Sequence, residues 1–247
     1  MISIDTLEEL QRYLKVNSDF DISYLEPFYH PANTMLRGLT GVDPDSIDNE
    51  EYLEHCKRYV AVAALTLSKG MQNVKMTSSG FTRYSESAKN AIAASSDAMK
   101  AFSDDLSTYL ILCEEAVLAL LESLSPAGWA NSVFSTLLDG PVKTAEEVAA
   151  HCGVSVTRKQ LRSAKSRYQQ AIYRAERTLG EETLSRITAR ESEVAKTAYS
   201  YYCTILAQVV AAVDAEPAWS MLEDYVLCKF GQPYSTGVTN MEGGIGL

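Results

Sequence analysis

The chain has 247 residues, which allows one large domain or two domains of about 120 residues each. Hydrophobic residues make up 46% and charged residues 22%, so a packed core is expected and disorder over most of the chain is excluded. The net charge of -10 comes entirely from residues 1–140, which carry 20 acidic and 10 basic residues, whereas residues 141–247 carry 12 of each. This balance argues against a nucleic-acid reader, which is normally basic, and favours an ordinary acidic surface or one that repels passing nucleic acid.

The first residues, the longest apolar run and the cysteines predict a chain without a signal peptide or a membrane span, in a reducing compartment. The opening MISIDTLEELQRYLK has neither a basic start nor an apolar stretch, so no signal peptide is expected. The longest apolar run, VAVAAL at 60–65, is too short to cross a bilayer. The five cysteines, at 56, 113, 152, 203 and 228, show no C-x-x-C spacing, and we interpret them as small buried side chains in a reducing compartment.

Helix signals recur along the whole chain. Capping-box patterns, in which a hydroxyl and an acid or amide satisfy free backbone donors reciprocally, begin at Thr6, Thr144 and Thr157. In the first part of the chain a helix should begin or bend near Pro31, because proline is poorly tolerated inside a helix. Apolar spacing predicts further helices over 51–69 with a stop at Gly70, over 158–179 before Gly180, over 182–213, and after Pro217.

The longest predicted helix covers residues 82–124. No Gly or Pro interrupts it, and its apolar residues recur at alternating steps of three and four, close to a coiled-coil repeat. A helix of roughly 40 residues would be about 60 Å long, more than a compact domain of this size needs. Its apolar stripe is therefore expected to be covered in part by other copies of the chain.

The predicted fold class is mainly all-α, with two related antiparallel helical units. The stretch 74–84 is either a small β-hairpin or an ordered loop, since Val74 and Met76 alternate before SSG. The last residues are rich in glycine and read as an extended arm. The predicted organisation is an N-terminal unit at 1–130 with the long helix, a linker at 131–143, a C-terminal unit at 144–230, and a flexible arm at 231–247.

A sequence echo suggests that the chain is one unit written twice. YLEPFYHPANTM at 24–35 matches YQQAIYRAERTL at 168–179, with Tyr24 on Tyr168 and Tyr29 on Tyr173. Further along, Tyr59 falls on Tyr199. Chance is the alternative, because amphipathic helices resemble one another.

Catalytic and metal-binding patterns are absent, so no catalytic residue, cofactor or metal is predicted. The pairs His55-Cys56 and His151-Cys152 are adjacent on helices, where neighbours point about 100° apart and cannot chelate alone. No G-x-S-x-G or G-x-x-x-x-G-K motif occurs. Paired acids fall on polar faces or helix starts, where they complement the helix dipole. The chain is therefore not expected to be an enzyme.

One helix is strongly basic. Three readings stay open: a solvated face, a surface that meets the acidic half of a neighbouring copy in a ring, and a phosphate-backbone contact. Against a single acid, Glu176, the basic face over 158–177 carries Arg158, Lys159, Arg162, Lys165, Arg167, Arg174 and Arg177.

Several segments resemble an uncharacterised helical family encoded by tailed phages and prophages of Bacteroidetes. TAEEVAAHCGVSVTRKQLRSAKSRYQQAIYRAERTLGEE resembles its second-half signature, and FDISYLEPFYHPANTMLRGLTG resembles its first copy. LTLSKGMQNVKMTSSGFTRYSES resembles a helix ending before an S-x-x-G segment, and Trp129 and Ser132 match a W-x-x-S pattern. The likeness covers most of residues 18–230. That family resembles the head–tail connector, or adaptor, proteins of tailed phages.

The resemblance implies a structural virion protein without catalysis. Copies made in the bacterial host cytoplasm would form a homo-oligomeric ring, with twelve copies to match a portal, at the head–tail junction of the virion. Its partners would be the portal protein, a downstream neck or tail protein, and DNA that passes through the lumen without sequence-specific binding; no membrane is involved. An acidic lumen would let the DNA slide.

Two other function classes are retained. One is a helical binding or regulatory module that uses the basic face; the other is an enzyme whose pocket is built from scattered side chains and contains a titratable pair with shifted pKa values. Contacts are expected from the basic face, the loop 70–84 and the arm 231–247. The candidate contact residues outside the basic face are Phe81, Tyr84, Tyr234 and Met241.

Overall fold

The computed structural model describes the backbone of residues 1–16, 18, 20–72, 74–77, 80–83 and 96–230, and the side chains of these except 69–83, 96, 98 and 99. These residues form nine α-helices, two short 3₁₀ segments and one two-stranded sheet, which confirms the predicted mainly all-α class. The chain divides into two compact units, unit 1 over Met1–Ser135 and unit 2 from Thr136 onwards. Each unit has its own apolar core.

Unit 1 is built around three helices that pack in succession, α2 on α3 and α3 on α4. The middle helix, α3, is buried almost all round between Tyr59 and Leu65, as expected for a helix with neighbours on both sides. The elements of unit 1 are α1 (Leu7–Tyr13), α2 (Glu26–Thr40), α3 (Glu50–Gln72), β1 (Val74–Thr77), β2 (Gly80–Arg83) and α4 (Ser96–Leu124).

An extended segment before α1 belongs to the core of unit 1. Ile2 and Ile4 are buried, and the hydroxyl of Tyr29 on α2 donates to the carbonyl of Ile4 at 3.1 Å. The side-chain amide of Asn33 accepts from the Ile2 N–H at 2.9 Å and donates to the Ile2 carbonyl at 2.7 Å. Asn33 thus makes the two hydrogen bonds that a neighbouring β-strand would make to one residue. It satisfies the N–H and the carbonyl of Ile2, which burial would otherwise leave unpaired.

The end of α2 is closed by two aromatic residues from the segment after α4. Gly41 ends the helix in the left-handed conformation, with φ of 71°. A Cβ atom at Gly41 would lie 2.1 Å from a ring carbon of Phe134, so only glycine fits at this point. The indole N–H of the buried Trp129 donates to the carbonyl of Thr40 at 3.0 Å, one of the backbone acceptors that a helix end leaves open.

Unit 2 places α8 at its centre, in contact with α5, α6, α7 and α9. The residues before α5, which include part of the predicted linker, are packed: Leu138 and Val142 are buried, and the Val142 N–H donates to the hydroxyl of buried Tyr168 at 3.0 Å. The elements are α5 (Ala145–Cys152), α6 (Arg158–Leu179), α7 (Glu181–Ala189), α8 (Glu193–Val210) and α9 (Glu216–Phe230).

The prediction of one helix over 82–124 is wrong at its beginning. Residues 82 and 83 belong to β2, which pairs antiparallel with β1 in the register Val74 to Arg83 and Thr77 to Gly80, so the hairpin reading of 74–84 is the correct one over the paired strands. The described helix α4 begins at Ser96, and 84–95 lie outside the described residues. The stop predicted at Gly70 is also wrong, because α3 continues to Gln72.

The single helix predicted over 182–213 is two helices. Arg190 takes a left-handed conformation with φ of 55°, and its guanidinium lies 4.0 Å from the centre of the Tyr199 ring. Ser192 then starts α8 by accepting from the Ala195 N–H. The apolar pattern by itself favours one continuous helix. The N-cap at Ser192 and the cation–π contact of Arg190 accompany the break between the two helices.

The helix predicted to begin or bend near Pro31 begins earlier, at Glu26. Pro27 lies in the first turn, where a backbone N–H has no partner within the helix anyway. Pro31 removes one backbone hydrogen bond, and the burial of Tyr29, Ala32 and Leu36 on the opposite face holds the helix through it.

The burial pattern corrects the register of the sequence echo. Tyr24 is 66% exposed and its counterpart Tyr168 is fully buried, whereas Tyr29 is buried and Tyr173 is 60% exposed. By environment, the counterpart of Tyr29 is Tyr168, because both are buried. Each hydroxyl also forms a hydrogen bond with the backbone of the extended segment in its own unit. Duplication itself stays a prediction. Its support is now this shared tyrosine–backbone hydrogen bond and the Thr-x-Glu-Glu sequence at the beginning of both α1 and α5.

Candidate interaction surface

Helix α6 presents the basic face, and strong local signals fix its position. Thr157 and Gln160 form a reciprocal capping box at its start. Six residues at helical spacing turn one side into the core, and Gly180 follows its last residue. The buried side consists of Leu161, Ala164, Tyr168, Ala171, Ala175 and Leu179.

Arg158, Arg167 and Arg174 contact other elements of unit 2. Arg158 forms an ion pair with Glu146 on α5 at 2.5 Å. Arg167 donates to the carbonyl of Val210 at the end of α8, at 3.3 Å, and so satisfies an open helix acceptor. These contacts tie α6 to the helices beside it rather than presenting charge to an external partner.

Arg174 makes the most extensive of these contacts. Both of its terminal nitrogens donate to the carboxylate of Glu216 at the start of α9, and its guanidinium lies 4.6 Å from the centre of the Trp219 ring. The hydrogen bond from Arg174 lowers the pKa of Glu216 and, reciprocally, raises the pKa of the arginine. Arg177 lies 5.9 Å from the ring centre of Tyr173, its neighbour on the same helix.

Arg162 and Lys165, which we call the cation pair, lie on a half-buried stripe of α6. Arg158, at the start of this stripe, contacts Glu146, and Gln169, at its other end, donates to the carbonyl of Asp139. The stripe therefore borders residues 139–146. Partial burial, followed by the positive charge of Arg162, lowers the pKa of Lys165. Two cations thus share a partly dehydrated position on α6.

Of the remaining predicted contact residues, only Lys159 has a described side chain. Lys159 is exposed on α6. Phe81 belongs to β2, for which only the backbone is described. Tyr84, Tyr234 and Met241 lie outside the described residues. The predicted site is thus brought together only along α6.

Unit 1 carries an acidic surface that the sequence analysis did not single out. Residues 43–51, which we call the acidic segment, read DPDSIDNEE and contain five acids and no base. Asp43 pairs with Arg37 at 2.6 Å, and Asp45 lies 3.3 Å from the N-terminal amine. Its three other acids, Asp48, Glu50 and Glu51, are exposed. A count of charges in short windows would have found this segment.

Two buried cysteines of unit 1 have raised thiol pKa values. Burial raises the pKa of the Cys56 thiol to about 12 and that of Cys113 to about 11, which keeps both protonated at neutral pH. Within the described part of the chain, no three His, Cys, Asp or Glu side chains are grouped so that they could hold a metal ion. The predicted burial of the cysteines is confirmed for Cys56, Cys113 and Cys203, but it is wrong for Cys228, which is exposed, and Cys152 is half-buried.

Comparisons with known proteins add no relative. No protein-family model matches the chain, and neither a curated protein nor a solved structure matches it. In the part of the chain that the structure describes, none of the helices is both long and apolar enough to cross a membrane.

Proposed function

We propose that the chain is a structural virion protein, a head–tail connector that assembles into a ring beneath the portal. The observation that carries the proposal is the unequal charge of the two units. Residues 1–135 hold 19 acids and 10 bases, whereas residues 136–247 hold 13 and 12, with seven of the bases on α6. A chain with unlike surfaces on its two halves favours head-to-tail contacts, and such contacts close into a ring when the rotation between copies permits.

The resemblance of residues 18–230 to a tailed-phage family supports the same proposal. In this function an acidic lumen repels the phosphate backbone, so DNA passes without being held. The portal protein contacts one side of the ring and a downstream neck or tail protein the other. Ordering of loops on assembly would cost conformational entropy that the new interface offsets.

Assembly is tested directly on the purified full chain. Native mass spectrometry and negative-stain electron microscopy, with and without the portal ring, should detect a closed oligomer of about twelve copies, by analogy with portal symmetry. Proteomics of purified particles should find the chain at the head–tail junction. A chain that remains monomeric at high concentration and in the presence of the portal would contradict the proposal.

The alternative is a helical binding or regulatory module that uses the basic face. The observation in its favour is the cation pair, where partial burial and a like charge depress the pKa of Lys165. For this alternative, duplex DNA of about 20 base pairs should bind the chain, and binding should weaken steeply as salt rises. Binding that is lost when Arg162 and Lys165 are reversed, without any effect on self-association, would favour the module over the connector.

A further inference from the structure

We propose that a basic corner of unit 2 docks on the acidic segment of a second copy, and that this contact joins neighbours in the ring. The inference rests on the proposed function and names the surfaces that would carry it. The basic corner consists of Arg186 on α7, Arg190 at the end of α7 and Lys229 in the last turn of α9, and all three are exposed. Its counterpart is formed by the exposed acids of the segment 43–51 in unit 1.

The fold of unit 2 brings the three cations to one place. Arg186 and Arg190 are four positions apart, the spacing at which side chains share one face of a helix. The guanidinium of Arg186 lies 5.2 Å from the ring centre of Phe230, the last residue of α9. Lys229 is the residue before it. The end of α7 and the end of α9 therefore present their cations close together.

Aromatic rings hold the two arginines of the corner. The guanidinium of Arg190 lies 4.0 Å from the ring centre of Tyr199 on α8, as that of Arg186 lies over Phe230. A cation–π contact of this kind restricts the arginine side chain without neutralising its charge. A guanidinium can bind a carboxylate through two parallel hydrogen bonds, and a side chain that is already held loses less conformational entropy when it does so.

Carboxylates of unit 2 do not compensate the basic corner. None of its three cations forms an ion pair with another residue that the structure describes. Of the two acids that follow α7, Glu193 pairs with Lys196 at 2.6 Å, and Glu191 is not ion-paired with its neighbour Arg190. A carboxylate from outside unit 2 would therefore add charge-assisted hydrogen bonds without displacing an existing acidic partner.

The acidic segment of unit 1 offers the matching charge. It carries five acids in nine residues, and the region from residue 38 to residue 56 contains no lysine or arginine. Among the residues that the structure describes, Asp48, Glu50 and Glu51 form no salt bridge, and all three are exposed. Unlike surfaces on one chain form a heterologous contact, the geometry from which rings are built.

A second copy fits the basic corner better than a nucleic acid does. Phosphates would also satisfy the cations, but the chain as a whole has a net charge of -10, which repels a phosphate backbone. A second copy instead presents carboxylates at a defined place and in equal number. Charge complementarity therefore favours contact between copies of this chain.

The experiment reverses each surface in turn. The variant R186E/R190E should weaken self-association of the full chain by about a hundredfold, because like charges would then face each other across the contact. The variant D48K/E51K should weaken it by a similar factor for the same reason. K229E, which leaves both aromatic contacts intact, should weaken it by about tenfold. Analytical ultracentrifugation across a salt series measures all three, and association of the unchanged chain should itself weaken as salt rises.

Mixing R186E/R190E with D48K/E51K identifies the contact as intermolecular. Each variant retains one unchanged surface, so alternating copies would place a reversed corner on a reversed segment and an unchanged corner on an unchanged segment. Equimolar mixing should therefore restore the oligomer that neither variant forms alone. The control K15E/K143E changes the net charge by as much as R186E/R190E, at exposed lysines outside both surfaces, and should associate like the unchanged chain.

The lysine variant R186K/R190K tests the role of the guanidinium. It keeps both charges but cannot form the two parallel hydrogen bonds, so its loss of association should be clearly smaller than that of R186E/R190E. An equal loss would overturn the inference, because charge would then not be what joins the copies. Circular dichroism verifies that each variant is folded.

The outcomes separate this inference from the proposed function. Association of R186E/R190E and K229E at the original strength, or a mixture as weak as its parts, would overturn the inference, while a ring of the unchanged chain would still support the connector. An unchanged chain that never associates would overturn both. Loss of duplex DNA binding in R186E/R190E without loss of association would assign the corner to nucleic acid and overturn the contact between copies.

Discussion

The two units use one internal arrangement and different exteriors. In each, an extended segment lies before a Thr-capped short helix, and a buried tyrosine of the next long helix bonds its backbone, Tyr29 in unit 1 and Tyr168 in unit 2. Their outer helix faces differ. The exposed residues of α2 include two charged ones, Glu26 and Arg37, whereas those of α6 include Lys159, Arg167, Arg174 and Arg177. What the comparison teaches is that packing constrains the inside of each unit, whereas the outside can diverge for contacts.

The largest difference to test is the closure of α2 by Phe134, which has no counterpart at the end of α5. Gly41 and Gly153 end their helices with nearly the same angles, φ of 71° in both, but only at Gly41 does a Cβ collide with a ring. Gly41→Ala should destabilise unit 1 by about 4 kcal/mol, from left-handed strain plus overpacking. Gly153→Ala should cost unit 2 only about 1 kcal/mol.

Each unit has its own fluorescent reporter for this measurement. Of the two tryptophans, Trp129 is buried in unit 1 and Trp219 in unit 2. Urea unfolding in a Trp219→Phe background follows unit 1 through Trp129. Urea unfolding in a Trp129→Phe background follows unit 2 through Trp219. Equal losses for the two glycine variants would contradict the close approach of Phe134.

The second difference lies in the amide hydrogen bonds that hold each extended segment to the long helix of its unit. Asn33 satisfies both backbone groups of Ile2 and also donates to the Tyr29 carbonyl, all buried. Asn33→Ala should therefore cost about 3 kcal/mol, because the Ile2 N–H and carbonyl would stay buried without partners. In unit 2 the corresponding amide contact, from Gln169 to the Asp139 carbonyl, is exposed.

Gln169→Ala is the matched control for the buried amide. Water can replace an exposed hydrogen bond, so the expected cost is under about 0.5 kcal/mol. Urea unfolding followed by the tryptophan of each unit compares the two variants. A loss at Gln169 as large as that at Asn33 would mean that burial does not distinguish the two segments.

The shared tyrosines should themselves differ in effect. Tyr168→Phe leaves the buried Val142 N–H without its acceptor and should cost about 2 kcal/mol, whereas Tyr29→Phe removes only a donor to the Ile4 carbonyl and should cost about 1 kcal/mol. The reason is that an orphaned buried N–H is tolerated less well than an under-satisfied carbonyl. Hydrogen exchange of the Val142 amide, fast in Tyr168→Phe and slow in the unchanged chain, checks the mechanism. An inverted order of the two losses would contradict it.

Local signals explain which parts of the fold were predictable. The bounds 158–179 of α6 were predicted to the residue, since a capping box and a terminal glycine lie next to the apolar pattern. The break at Arg190 was missed because it depends on a cation–π contact with Tyr199, which apolar spacing does not encode. The extent of α3 beyond Gly70 was missed because a glycine tolerated inside a helix resembles a stop.

The candidate site was less predictable than the fold. The sequence places seven cations on one helix, but it does not indicate that Arg174 meets Glu216, which lies 42 positions away on α9. Such pairings follow from tertiary packing, so a count of charges on a helix overstates the charge available to a partner.

The smallest expected effect concerns the ion pair between Arg174 and Glu216. The Arg174 hydrogen bond lowers the pKa of Glu216 below its ordinary value of 4.5. A carboxylate with a lowered folded-state pKa stabilises the fold above its unfolded pKa, and this contribution disappears as pH falls through the folded value. Glu216→Gln should thus slightly destabilise unit 2 at pH 7, and this loss should shrink as the pH falls through the folded-state pKa of Glu216, because the carboxyl then becomes protonated in both states.

A double-mutant cycle isolates this contribution from the stacking of Arg174 on Trp219. Arg174→Gln removes both the ion pair and the cation–π contact, so the coupling between Arg174→Gln and Glu216→Gln reports the ion pair alone. Unfolding followed by Trp219 fluorescence at pH 7 and near pH 2 should give a small favourable coupling that is lost in acid. A coupling that is equal at both pH values would mean that packing, rather than charge, joins α6 to α9.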